Sequence, residues 1–198
     1  MLADYFEQVF ATDISEKQLN QAPRIPNILY KQGTAEKSDF AENSFDLITV
    51  AQAYHWFRFD EFRKEVTRVG KPGAKLAIWG YGLIQAKHEK MNKLIKHFYV
   101  DIVGKYWDPE RRFIDEKYET VPFDFKEYPA RNFSINVEWD LEDFAGYLNT
   151  WSSVQHYIQA NQNNPVEDFI LELIRQEAIT GKTAFSFPLF LRIGTIEK

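Results

Sequence analysis

The sequence predicts an α/β fold, with a mostly parallel sheet carrying helices on both faces. Three observations lead there. Strand-like and helix-like stretches alternate along the chain, the pattern of layered α/β proteins. Residues 45–50, FDLITV, are nearly continuous in apolar side chains, as expected of a strand buried on both faces. After them Phe59, Phe62, Val66 and Val69 recur at spacings of three and four, the stripe of an amphipathic helix.

The elements follow in order. Residues 8–12 are a short strand-like run ending at Asp13, and Ser15 is placed to cap a short helix through Leu19. Residues 27–30 form a second strand and 45–50 a third. Asp60 reads as the N-cap of the helix that follows, and Lys71-Pro72-Gly73 stops it. Residues 75–79 are the next strand. Residues 83–124 change character. Met91, Leu94, Ile95, Phe98, Tyr99 and Ile102 mark a helix with a wide apolar stripe, followed by an aromatic, charged, loop-like stretch. This segment reads as an insertion. A strand-like run resumes over 127–139, and Asp140 caps a helix carrying Leu141, Phe144, Ala145 and Leu148. Asn164-Pro165 is an N-cap followed by proline at the first helical position. Residues 183–196 close the chain as a strand or hairpin arm.

Composition narrows the function. The 198 residues are 44% apolar and 16% aromatic, enough for one substantial core and too few for two full-sized domains. The expectation is one domain, with 1–82 and 125–198 as its core and 83–124 as a cap. Net charge is −5 with acids and bases mixed, so nucleic acid is not indicated. No run of about 18 apolar residues occurs, which argues against a helical membrane span. The first ten residues carry acids and no base, unlike a secretory signal. There is no cysteine, hence no disulfide, thiolate zinc site or cysteine nucleophile. The expected setting is cytoplasmic, and the sequon Asn132-Phe133-Ser134 reads as chance. His88, His97 and His156 lie at no metal-ligand spacing, so no metal site is expected.

Three segments are candidates for chemistry. Asp13 directly follows a strand, where α/β nucleotide-binding folds hold ribose hydroxyls, although an acid there also caps turns locally. Gly33-Thr34-Ala35-Glu36 follows the second strand, as a ligand-contacting loop or a plain polar connection. Ala51-Gln52-Ala53-Tyr54-His55-Trp56-Phe57 follows the buried-looking third strand, where open sheets bind ligands. His55 there is either a base or part of an aromatic cluster.

Taken in order, VFATDIS, GTAEKSDFAENSFDLITVAQAYHWF and EVTRVGKPGAKLAIWGYG resemble class I S-adenosylmethionine-dependent methyltransferases. The subgroup resembled is that of trans-aconitate methyltransferase and related small-molecule enzymes. YWDPERR, LNTWSSVQHY and FSFPLFLRIGTI are similar to it as well. The resemblance implies a Rossmann-like fold, S-adenosylmethionine as cofactor and a small-molecule methyl acceptor of the carboxylate class. It implies that Asp13 holds the cofactor's ribose, Ile14 packs on the adenine, and Ala35 and Glu36 flank it. Ala51 and Gln52 would lie near its methionine part. His55 and Trp56 would face the methyl group and substrate, with His55 as the base if one is needed. Tyr106, Trp107 and Arg112 of the cap would bind the acceptor.

One feature of the family is missing. Its members carry a central strand and a G-x-G loop ahead of the segment that begins here, and residues 1–9 resemble the second half of the helix that follows that loop. The single G-x-G in this sequence, Gly80-Tyr81-Gly82, follows a different strand. The chain is therefore expected to be N-terminally truncated, either as a fragment or naturally. Its function is expected to be carboxylate O-methylation, or else that of an inactive relative without cofactor binding.

Overall fold

The computed structural model describes residues 1–129, 131–176 and 181–198. β1 (Val9–Asp13) and β2 (Ile28–Gln32) pair in parallel, with Asp13 opposite Gln32. The chain passes between them through α1 (Glu16–Asn20). As expected, Ser15 is its N-cap, the hydroxyl accepting the Gln18 N–H. These two strands form a sheet of their own.

The second sheet has six strands, β3 (Phe45–Ala51), β4 (Gly70–Tyr81), β5 (Gln85–Ala86), β6 (Lys126–Glu127), β7 (Phe133–Trp139) and β8 (Thr183–Thr195). Its order is β3-β4-β8-β5, with β6 and β7 also paired to β8. The fold is α/β as expected, but the sheet is mixed rather than mostly parallel. β5, β6 and β7 all run antiparallel to β8. The cause is the length of β8, whose 13 residues span roughly 40 Å. β7 pairs along residues 183–189 and β6 along 194–195.

β3 is less buried than its apolar run suggests. Val50 is buried, whereas Phe45, Leu47, Ile48 and Thr49 are half-buried. β3 ends its sheet and so lacks a neighbour on one side among the described residues. β1 likewise has β2 alone as partner. Phe10 of β1, Phe45 of β3 and Phe40 before β3 close on one another edge to face, with centroids 4.9–5.8 Å apart.

The described residues divide into two compact units. The first comprises 1–78, 122–128 and 193–198. Within it, α2 (Phe59–Val69) buries Phe62, Val66 and Val69, the stripe read from the sequence. Its N-cap is Arg58 rather than Asp60, which with Glu61 sits in the first turn and complements the helix dipole. The Lys71-Pro72-Gly73 stop holds for the helix, but the chain enters β4 at once, at Gly70. The first residues form a short 3-10 turn, Leu2–Asp4, where half a helix was expected.

The second unit comprises 79–121 and 129–192, so the segment read as an insertion clusters with the later helices. α3 (Glu89–His97) continues into a π-helical turn over Phe98–Ile102, closed by Val103 N–H donating to the Phe98 carbonyl at 3.0 Å. That extra residue shifts the stripe. Met91, Ile95 and Phe98 are buried, Ile102 is turned out, and Val103 takes the core place. α4 (Arg111–Asp115) is one short turn. α5 (Leu141–Asn149) and α7 (Pro165–Arg175) start at Asp140 and Asn164, whose side chains accept the N–H groups of their first turns. α6 (Ser152–Asn161) is a further helix and carries His156. Phe98, Phe144, Phe169 and Phe185 stack through the core of this unit.

Candidate functional site

The site begins at the carboxyl ends of the parallel pair β1 and β2. Asp13 is the last residue of β1 and is exposed. Its Oδ1 accepts the Ser15 N–H at 2.7 Å, while its Oδ2 has no partner among the described residues. The local capping role and an uncommitted carboxylate oxygen therefore coexist in one side chain. Ile14, next to it, is 71% exposed, far from the usual state of a β-branched apolar residue. Its carbonyl accepts the Gln32 side-chain amide at 2.9 Å, which ties the two strand ends together. Gly33 donates its N–H to the Asp13 carbonyl at 3.1 Å. A methyl group added at Gly33 would meet nothing within 4 Å, so the space beside it is open.

Ala35 and Glu36 are half-buried in the loop that follows. Glu36 Oε1 accepts the Arg58 N–H at 3.0 Å, so this loop is fastened to the start of α2. A second fastening lies behind it. The buried Glu65 carboxylate accepts both the N–H and the hydroxyl of Ser38, at 2.8 and 2.5 Å. Arg68 donates to Glu65 through Nε and Nη2 and to the Phe40 carbonyl through Nη1. Hydrogen bonding from Arg68 holds the Glu65 carboxyl down at about 2, against the opposing effect of burial, with Ser38 assisting.

The segment after β3 turns sharply. Ala51 is exposed, and Gln52 has φ +51°, a left-handed conformation that costs a non-glycine residue about 1 kcal/mol or more. Tyr54–Trp56 form a 3-10 turn. His55 is buried with its ring 4.9 Å from that of Trp56, which is 55% exposed. Tyr54 is buried among Phe57, Phe59 and Phe62, its hydroxyl donating to the Pro122 carbonyl at 3.1 Å.

The three acceptor candidates of the second unit separate. Tyr106 packs on Tyr157 and accepts the Asn161 side-chain N–H at 2.8 Å. Trp107 joins Tyr99 and Trp151, with centroids 5.1–5.7 Å apart. Arg112 is exposed and lies over Phe113. The neighbouring Arg111, the other guanidinium of the YWDPERR segment, packs 4.6 Å from the Trp107 centroid and 5.4 Å from that of Tyr99. The spacing of four from Trp107 to Arg111 and on to Asp115 was the available signal. His156 and His97 are held by the Tyr106 carbonyl and by Asp101.

Residues 1–78 match the model of a family described as the methyltransferase domain. A candidate methyltransferase from Dictyostelium discoideum is 31% identical over 202 aligned positions, which span 99% of this chain and 77% of that protein. Among solved structures, a candidate type II methyltransferase from Anaeromyxobacter dehalogenans is 34% identical. It superposes with a TM-score of 0.88 over 99% of this chain and 83% of its own. A candidate methyltransferase from Bacillus halodurans is 20% identical, with a TM-score of 0.50 over 100% of this chain and 86% of its own, a likeness of fold.

Proposed function

The chain belongs to the class I S-adenosylmethionine-dependent methyltransferases, and on that premise we propose that it O-methylates a carboxylate of a small molecule. S-adenosylmethionine is the cofactor. When bound, it supplies an electrophilic methyl group whose bond to sulfur breaks, the electron pair leaving with sulfur, as the acceptor oxygen bonds to carbon.

The observation that carries the reading is Asp13, a carboxylate at the end of a parallel strand with one oxygen uncommitted. Such an oxygen suits a pair of ribose hydroxyls by charge-assisted hydrogen bonds. The exposed Ile14 side chain offers an adenine an apolar face, and the open space at Gly33 leaves room for the ring. The residues present thus fit the adenosyl half of the cofactor. Ala35 and Glu36 border that space in sequence, with Glu36 acting through its bond to Arg58. Ala51 and Gln52 would serve the methionine part, and His55 and Trp56 the transferred group and the acceptor.

A carboxylate acceptor is already ionised and has no proton to lose. The protein then has to exclude water and align two atoms, and His55 need not act as a base. A phenol or amine acceptor would call on it.

The second reading, a relative without cofactor binding, draws on one feature. The described strands β1 and β3 each have an open edge, and the single G-x-G of the sequence, Gly80-Tyr81-Gly82, lies at the end of β4 rather than after either of them. On this ground the 198-residue chain by itself should hold the methionine end weakly. Labelled S-adenosylmethionine with a panel of small acids, phenols and amines separates the readings. Label in methyl esters supports the first, label in phenol ethers or methylamines alone overturns it, and no label with any acceptor supports the second.

A further inference from the structure

Residues 38–44 form a strap along α2. At its far end Asn43 and Ser44 donate their N–H groups to the carbonyls of Arg68 and Val69, at 3.0 and 2.7 Å. At its near end two side chains of α2 do the holding. Glu65 accepts the Ser38 N–H and hydroxyl, and Arg68 reaches past it. Nη1 of Arg68 donates to the Phe40 carbonyl at 2.7 Å and Nη2 to the Ser38 carbonyl at 3.2 Å, while Nε and Nη2 also donate to the two Glu65 oxygens. The planar fork thus grips two carbonyls of the strap at once, a geometry that a lysine ammonium does not reproduce. All three nitrogens are committed, so Arg68 acts on its surroundings through the strap.

Phe40 is what the strap carries. Its N–H donates to the Ser38 hydroxyl at 3.4 Å and its carbonyl is held by Arg68. The peptide groups on both sides of it are therefore fixed, and with them the direction of its Cα–Cβ bond. The ring meets three strands. It lies edge to face on Phe10 of β1 and Phe45 of β3, with centroids 5.0 and 4.9 Å away, and under the ammonium of Lys31 of β2 at 5.6 Å. Lys31 is paired in turn with Asp39 of the strap. No ladder joins β1 to β3 among the described residues, so the place of β1 depends on these side chains. Phe10 and Asp13 share the one short strand β1, and Ala35 and Glu36 lie in the loop that leads into the strap.

We propose that Arg68 is a positioning residue for the cofactor: by pinning the strap it sets, through the Phe40 ring, where β1 and the loop after β2 present Asp13, Ile14, Ala35 and Glu36. This rests on the reading of those four residues as the adenosyl site. Glu65 is the other half of the device. Its carboxylate, buried on α2, orients the guanidinium and balances its charge, so that the remaining N–H groups face the strap. The strap is tied at both ends, and a displaced Phe40 carries the loop before it and β1 along together.

Titration with S-adenosylhomocysteine, followed by amide NMR, tests this without turnover. Arg68→Lys keeps the charge beside Glu65 and loses the fork. It should weaken binding about tenfold, and displace the amide resonances of Ile14, Gly33 and Ala35 before any ligand is added. Phe40→Leu removes the edge-to-face contacts and leaves the carbonyl in place, and should weaken binding about fivefold. Because the fork acts through this ring, the double variant should lose no more than the larger single loss. Gly194→Ala, a change in the same unit outside the strap, should lose stability and keep wild-type affinity. Wild-type affinity in Arg68→Lys, losses that add in the double variant, or an equal loss in Gly194→Ala overturns the proposal. Should Arg68→Lys not fold, Phe40→Leu decides alone, and unchanged affinity in it has the same force. The outcomes also part this proposal from the reading it rests on. Saturable shifts in the wild type that Arg68→Lys reproduces keep the cofactor site and remove the positioning. No saturable shift in the wild type, with the three amides displaced in Arg68→Lys, removes the cofactor site and keeps the coupling of strap to strand end.

Discussion

Phe10 and Phe45 meet edge to face with ring centroids 5.8 Å apart, although their strands belong to different sheets. No ladder of backbone hydrogen bonds joins β1 to β3 among the described residues, so the contact of these rings and Phe40 is a side-chain bridge across two open edges. Removing one ring should be costly for this unit. Phe45→Ala should lower stability by about 2–3 kcal/mol, toward the low end for a phenylalanine because the residue is half-buried. Urea unfolding monitored by circular dichroism would measure it. A loss under 0.5 kcal/mol would mean the rings merely touch.

Glu65 makes stability depend on pH. Its carboxyl lies at about 2 in the folded protein against an ordinary 4.5, so the folded state favours the ionised form. That contribution is present above pH 4.5 and fades as pH falls toward 2. Glu65→Gln should cost about 2 kcal/mol at pH 7 and markedly less near pH 3. Melting curves of both proteins across this range check the sign. A gap that widens on acidification contradicts it.

Gly194 of β8 has no room for a side chain. A Cβ there would lie 2.8 Å from Phe125 Cβ and 2.8 Å from the Phe123 ring edge. The Phe125 Cβ is fixed to the backbone and cannot swing aside. Gly194→Ala should therefore destabilise by about 1–3 kcal/mol, read as a shift in the urea midpoint. Gly146→Ala, on an open helix face, is the control and should be neutral or stabilising.

The elements with strong local signals were legible in the sequence. Ser15, Asp140 and Asn164 cap the helices expected of them, because a side-chain oxygen near the first N–H groups decides the matter within four residues. The stripe of α2 was read because every residue of it faces one core. What escaped depended on distant parts of the chain. α2 starts at Phe59 rather than after Asp60, with Glu36, more than 20 residues earlier, accepting the Arg58 N–H. The π turn at Phe98–Ile102 moved Ile102 outward, and no spacing rule signals an inserted residue. The antiparallel pairings of β8 needed knowledge of which strands meet it. Asp13 stands at the end of β1, as its place after a strand-like run predicted. Of the two adjacent arginines it is Arg111 that packs on Trp107, a choice of side-chain direction that the sequence does not show.

The tie between Glu36 and the Arg58 N–H predicts a coupling between the loop after β2 and the turn after β3. Glu36→Ala should leave the global melting temperature within about 2 °C, since a single half-buried hydrogen bond contributes on the order of 1 kcal/mol. It should still shift the amide resonances of residues 52–58 and speed their hydrogen exchange. Changes confined to residues 33–38 would show that the tie transmits nothing.

Asp13 carries the account, and its two oxygens allow its two roles to be separated. Asp13→Asn keeps an oxygen to accept the Ser15 N–H but loses the charge and the free acceptor. The decisive measurement is an amide NMR titration of the wild-type chain and Asp13→Asn with S-adenosylhomocysteine, a method that detects even millimolar binding. The wild type should show saturable shifts at Ile14, Gly33 and Ala35. Asp13→Asn should fold with an unchanged melting temperature and bind at least tenfold more weakly, the loss of about 1.5–3 kcal/mol typical of hydrogen bonds to a charged group. Equal shifts in both proteins, or wild-type shifts that avoid these residues, would contradict a cofactor site at the end of β1.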